Sequence, residues 1–169
     1  MSATPTRLVV RSATWAIFGC CLAACGFRLV GSSGPWPAVL ARPYLQLKDP
    51  YTDFSRGFEQ QLKASGAQLQ PVQVGATATI EVTRDTVEQR TLSVSASNIP
   101  TEYLLIYTVT FEVRGPDKLL LPPQTLTQQQ DYSFAENAVL AKEHEADVLR
   151  QQMARNLVAI AIRRLDRVK

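Results

Sequence analysis

The chain has 169 residues, room for one domain of ordinary size, with 46% apolar and 20% charged side chains. A formal charge of +3 is too small for a nucleic-acid binder, and no run of Lys or Arg interleaves with aromatics. The three cysteines, Cys20, Cys21 and Cys25, all lie within the first 25 residues, so neither a disulfide framework nor a cysteine metal cluster can form farther along.

The N-terminal segment begins with Arg7 and Arg11. Ala13 to Ala24 then runs 12 residues without a charge, whereas a helix needs about 20 to span a bilayer. A basic start, a short apolar stretch and small residues before a cut site describe a secretory signal. Leu22-Ala23-Ala24-Cys25 resembles the lipobox of bacterial lipoprotein precursors. That resemblance implies cleavage before Cys25 and acylation of its thiol. One acyl chain holds a protein marginally and two hold it stably, so a doubly or triply acylated Cys25 is a firm anchor. Gly26, rather than Asp, follows the cysteine, which by resemblance to enterobacterial lipoproteins points to the outer membrane. The expected organisation is a signal peptide at 1–24, a lipidated N-terminus and tether at 25–43, and one domain at 44–169. Removing Arg7 and Arg11 leaves 16 basic against 15 acidic side chains.

In the mature chain, residues 26–43 contain Gly31, Gly34, Pro35, Pro37 and Pro43, which break helices and long strands. Tyr44 to Lys48 alternates like a short strand, and Asp49-Pro50 turns. Asp53 reads as a helix N-cap. Phe54, Phe58 and Leu62 follow on one helical face, and Gly66 sits where a C′ residue belongs. Gly57 weakens this helix by about 1 kcal/mol, so it must rely on packing. Ala78 to Val94 is rich in Thr, Val and Ile. Glu102 to Arg114 is more strand-like still, with Tyr103, Leu105, Tyr107, Val109, Phe111 and Val113 on one face. Gly115-Pro116-Asp117 turns the chain, Pro122-Pro123 interrupts it, and Gln124 to Phe134 reads as a further strand. The tail predicts a helix from about Asn137 to Arg167, with Leu149, Met153, Leu157 and Ile160 as its buried stripe. Its acids come early and its bases late, as the helix dipole favours. Those late bases read as a solvated end, with a lipid-phosphate site as the other reading.

The order strand, helix, three strands, helix predicts an α+β two-layer sandwich. Two helices should cover one face of a small, about four-stranded, mostly antiparallel sheet.

Catalytic signatures are missing. The one histidine, His144, has no second histidine for a metal and no G-x-S-x-G elbow for a hydrolase, and reads as a solvated surface residue. No phosphate-binding glycine loop is present, so no cofactor is expected and the chain reads as non-enzymatic.

Cys25-Gly26-Phe27-Arg28-Leu29 follows the signal, Glu102-Tyr103 opens the strongest strand, and Tyr132 precedes Leu140-Ala141-Lys142-Glu143, Glu145, Leu149 and Met153. In combined order these residues resemble the LptE (RlpB) family of lipopolysaccharide-assembly lipoproteins. The resemblance implies a protein that sits in the lumen of the outer-membrane β-barrel LptD. It would act as plug and assembly partner in lipopolysaccharide transport and bind lipopolysaccharide directly. The partners implied are that barrel, lipopolysaccharide and the membrane through acyl chains, with no nucleic acid. The mostly uncharged Thr, Ser, Gln and Asn between Gly66 and Ser133 suit a hydrated barrel interior, although Thr also simply favours strands.

Lys142 lies seven residues before Leu149 and so shares the line of the buried stripe. It either snorkels at the domain edge or presents its ammonium to an anion. The resemblance gives it a lipopolysaccharide-binding role. The family's second basic position falls near Ala96 or Ser97, neither of them basic. Arg90 is the nearest cation, a weaker candidate for the same ligand. The alternative function is a periplasm-facing lipoprotein accessory of a lipid-trafficking ABC system, which has a similar small α+β domain.

Overall fold

The computed structural model describes residues 36–133 and 139–169, with side chains of the last helix from Glu145 onward. The signal segment and Cys25 lie outside the described residues.

Packing begins ahead of residue 44. Pro37 and Ala38 start a single 3-10 turn (Ala38–Leu40) that drops Leu40 into the core, fully buried. The Trp36 indole N–H donates to the Leu40 carbonyl at 2.7 Å and pins that turn. Strand β1 (Pro43–Leu47) follows.

Helix α1 (Asp53–Ala64) is capped by Thr52, one residue earlier than the sequence suggests. The Thr52 hydroxyl accepts the Ser55 N–H at 3.0 Å, satisfying one orphan donor of the first turn. Asp53 is thereby left free to pair with Arg56 and Arg150. At the other end Gly66 has φ +99°, as expected of a C′ residue. The Ala67 N–H reaches the Leu62 carbonyl and the Gly66 N–H that of Lys63, both at 3.1 Å. This is a Schellman closure. Phe54, Phe58 and Leu62 are completely buried.

Three long strands form the body: β2 (Ala78–Val94), β3 (Pro100–Arg114) and β4 (Leu119–Ser133). The sheet order is β1-β2-β3-β4. The β1–β2 pair is parallel and crosses over through α1, while β2–β3–β4 is an antiparallel meander. This is the expected α+β sandwich.

β4 runs through Pro122 and Pro123, where the sequence suggests an interruption. Proline removes a ladder donor, which a strand tolerates at a sheet edge or a bulge. β4 is an edge strand, and its register shifts between the Phe111 and Val113 pairings.

Every predicted inner residue of β3, from Tyr103 to Val113, is buried. Phe58 stacks on Phe54 with centroids 5.1 Å apart and tilts against Phe111 at 6.1 Å, fastening α1 to the sheet. Each such aromatic contributes about 1.5–3 kcal/mol by leaving water. The final helix α2 (Val139–Leu165) lies over β3 and β4. Its buried stripe is broader than predicted. Met153 and Leu157 are buried as expected, but Leu149 and Ile160 are only partly so. Ala154, Val158, Ala161 and Leu165 complete the contact, because α2 packs on α1 as well as on the sheet. Small side chains serve that closer approach.

Candidate functional site

The helices cover one face of the sheet, and no described helix covers the other. Cross-strand register sets what this outer face displays. Arg84, Thr110 and Thr125 form one row, and Thr86, Thr108 and Thr127 the next. Glu88, Ile106 and Gln129 follow, then Arg90, Leu104 and Asp131. Thr110 and Thr125 hydroxyls are 3.1 Å apart, and those of Thr108 and Thr127 are 3.4 Å apart. Hydroxyl pairs of this kind stabilise a polar sheet face without charge.

The charges on this face are largely neutralised within it. Glu88 takes Arg90 at 3.0 Å and Arg84 at 3.8 Å. Arg114 bridges Glu81 at 3.8 Å and the buried carboxylate of Glu112. The face is therefore broad and polar, its three arginines balanced by Glu81, Glu88 and Glu112, with Glu102 and Asp131 adding negative charge at the end near the β2–β3 turn.

Arg90, the weaker of the sequence-derived basic candidates, projects from this outer face and is engaged by Glu88. Ala96 and Ser97 lie in the turn between β2 and β3, whose Asn98 adopts φ +61°. Around that turn Leu92, Val94 and Ile99 are exposed, and no charge occurs from Thr91 to Thr101. The Lys142 backbone lies in the first turns of α2. Its side chain, like that of His144, lies outside the described residues, as does Cys25. Three residues after Lys142, Glu145 joins Glu102, Asp131, Tyr132 and Leu149 around a recess of about 380 Å³. This end of the sheet is acidic. The structure thus puts Arg90 on the face away from the helices, whereas α2 packs on the inner face.

A second polar cluster escaped the sequence reading. A register shift after Val82 makes Thr83 an extra residue, so Asp85 pairs with Val109 on the inner face instead of pointing outward. There its carboxylate accepts the Thr52 hydroxyl at 2.5 Å and the Ser55 hydroxyl at 3.4 Å. Burial pushes the Asp85 carboxyl above its ordinary value, against the lowering effect of hydrogen bonds from Thr52, Tyr107 and Ser55. Burial and the Asp85 charge likewise push the Tyr107 phenol up. The Tyr107 oxygen also accepts the Phe54 N–H at 3.3 Å. Next to this cluster Arg150 pairs with Asp53 at 3.1 Å and Asp147 at 2.9 Å, tying α2 to the start of α1. The cluster fastens four elements together. The only signal for it in the sequence is a switch of apolar positions from even (Ile80, Val82) to odd (Val87) along β2.

Among the described residues no group of His, Cys, Asp and Glu is arranged to hold a metal, and no helix is long and apolar enough to cross a membrane. The two-layer α+β architecture has been seen before. Lipoprotein B of Nitrosomonas europaea superposes with a TM-score of 0.68 at 22% identity, covering 83% of this chain and 90% of that one. Rare lipoprotein B of Shewanella oneidensis superposes with a TM-score of 0.64 at 23% identity, covering 73% and 92%. At those identities the likeness establishes the fold. Sequence carries it further. The model of the family LptE, described as lipopolysaccharide-assembly, matches residues 41–165. The LPS-assembly lipoprotein LptE of Yersinia enterocolitica is 30% identical over 147 residues, 85% of this chain and 69% of that protein. Its Yersinia pestis counterpart is 29% identical over 146 residues, with the same coverage. The chain belongs to the LptE family.

Proposed function

We propose that this chain is a non-enzymatic lipopolysaccharide-assembly lipoprotein of the outer membrane. Acylated Cys25 anchors it on the periplasmic side, and the residues that follow lead to a folded domain whose core already includes Leu40. That domain sits largely within the lumen of an LptD-like β-barrel as plug and assembly partner, and it contacts lipopolysaccharide directly.

The observation that carries the barrel reading is the outer sheet face. Threonines and Gln129 surround Ile106 at its centre, and Arg84, Arg90 and Arg114 are each engaged by a glutamate of the same face. A barrel lumen is polar and hydrated, and a charge carried into a contact without a partner is costly. A polar face whose arginines are all paired meets both conditions over the area from Arg84 to Arg90. Family membership supplies the assembly role. Lys142 is the proposed lipopolysaccharide contact. Its backbone lies in the first turns of α2, and its ammonium is the kind of group that pairs with a lipid phosphate.

Photo-crosslinking in the native membrane tests the barrel contact. A photoreactive residue at Thr108 or Thr127 should capture a large outer-membrane barrel protein, while one at exposed Lys63 on α1 serves as the comparison. Capture of soluble periplasmic proteins alone from the sheet positions contradicts the plug reading.

A further inference from the structure

Helices α1 and α2 run in the same direction, with Asp53 meeting Arg150 and Gly57 lying against Val158. Between them is a groove of about 520 Å³ whose apolar lining comes from Gly57, Ala64, Val158, Ala159 and Ile162. Gly57 stands in the middle of α1, where glycine costs about 1 kcal/mol relative to alanine. Nothing in the fold requires it. Its φ is not in the left-handed region. A Cβ added there would meet its nearest neighbour, Val158 Cγ2, at 3.5 Å, an ordinary contact. The absent methyl deepens a groove that the domain's own packing does not fill.

Charge and length indicate the occupant. Arg155 lines the groove and makes no hydrogen bond or ion pair among the described residues. It lies toward the Asp53 end, where Arg56 and Arg150 are also found, both held by Asp53. Asp53, which also lines the groove, and Asp147 balance Arg56 and Arg150, which leaves Arg155 as the cation offered to a ligand, and from it the groove runs toward Ala64 and Ile162. The α1 backbone from Asp53 to Ala64 rises about 16 Å. Half the hydrocarbon thickness of a bilayer, one acyl-chain length, is about 15 Å. We propose that the α1–α2 groove holds one acyl chain of an anionic amphiphile, with the anionic head on Arg155. The site is distinct from the sheet end near Lys142 and does not depend on the barrel contact.

The probe is dodecyl phosphate carrying a diazirine at the end of its chain, used below its micellar concentration with the purified full chain. Mass spectrometry maps the cross-linked peptides. Saturable labelling within residues 60–64 or 158–162 is expected. Arg155→Gln should weaken labelling about tenfold, the loss of one charge-assisted contact, and the uncharged dodecanol probe should label equally weakly. Gly57→Ala should raise the melting temperature while weakening labelling, and Ala159→Leu should block it in a chain that still melts cooperatively. Labelling centred on the outer sheet face or on the Leu92–Ile99 hairpin overturns the proposal. So does wild-type labelling in both Arg155→Gln and folded Ala159→Leu.

Discussion

Thr52 donates its hydroxyl proton to Asp85 at 2.5 Å, and the same oxygen accepts the Ser55 N–H at 3.0 Å. One side chain therefore caps α1 and ties that helix to the bulged part of β2. Thr52→Ala removes both interactions. It should destabilise the domain by about 1–2 kcal/mol, the cost of a lost cap, with the partner carboxylate left short of a donor. Thr52→Ser keeps the oxygen and should cost only a few tenths of a kcal/mol. Urea denaturation of the three proteins measures the difference. Equal stability of Thr52→Ala and wild type would remove the cap from the account.

Asp85 makes stability depend on pH. Burial raises its folded-state pKa above the ordinary 3.8, so the folded domain prefers the protonated carboxyl. That contribution is complete below pH 3.8 and is lost as pH rises through the folded value. Asp85→Asn keeps an oxygen for the Thr52 hydroxyl and carries no charge. It should be more stable than wild type at pH 7, and the gain should shrink as pH falls through the folded value toward 3.8, below which it should stay constant. Denaturation midpoints across pH 3 to 7 check this. A gain independent of pH, or a stability loss confined to neutral pH, would show that the hydrogen bonds outweigh burial.

Lys142→Asp should weaken lipopolysaccharide binding by about tenfold or more, because it replaces an ammonium offered to an anionic ligand by a carboxylate. The melting temperature should move by no more than a few degrees. Arg90→Ala should have a smaller effect, since Glu88 already engages that guanidinium. Binding to immobilised lipopolysaccharide, with circular dichroism to confirm folding, distinguishes the outcomes. Unchanged affinity in folded Lys142→Asp would take the residue out of the contact.

Much of the fold is legible because it repeats a simple period. Alternation from Tyr103 to Val113 marks the inner face of β3, and the spacing of Phe54, Phe58 and Leu62 marks the buried side of α1. The departures have local causes. Thr52 and Asp53 are both competent caps, and only the position of Asp85 and Arg150 decides between them. Pro122-Pro123 reads as a break unless β4 is known to be an edge strand. The bulge at Thr83 reverses the inward parity of β2, which a single strand-like stretch conceals. Leu149 and Ile160 are apolar yet only partly buried, because Ala154, Val158 and Ala161 carry the approach to α1.

The candidate surfaces are less legible, since they belong to contacts outside the chain. Threonine suits any strand, so the outer face becomes informative only once cross-strand register pairs Thr110 with Thr125 and Glu88 with Arg90. Gly57 reads in the sequence as a weak point of a helix. Beside Val158 and Arg155 it becomes the floor of a groove.

Purification of the chain from native membranes in mild detergent, through a C-terminal tag that leaves the N-terminus intact, tests the partnership with a barrel most directly. A large outer-membrane β-barrel should co-elute in stoichiometric amount and remain bound through gel filtration. Recovery of the chain by itself, or with the subunits of an inner-membrane ABC transporter, would contradict the assignment.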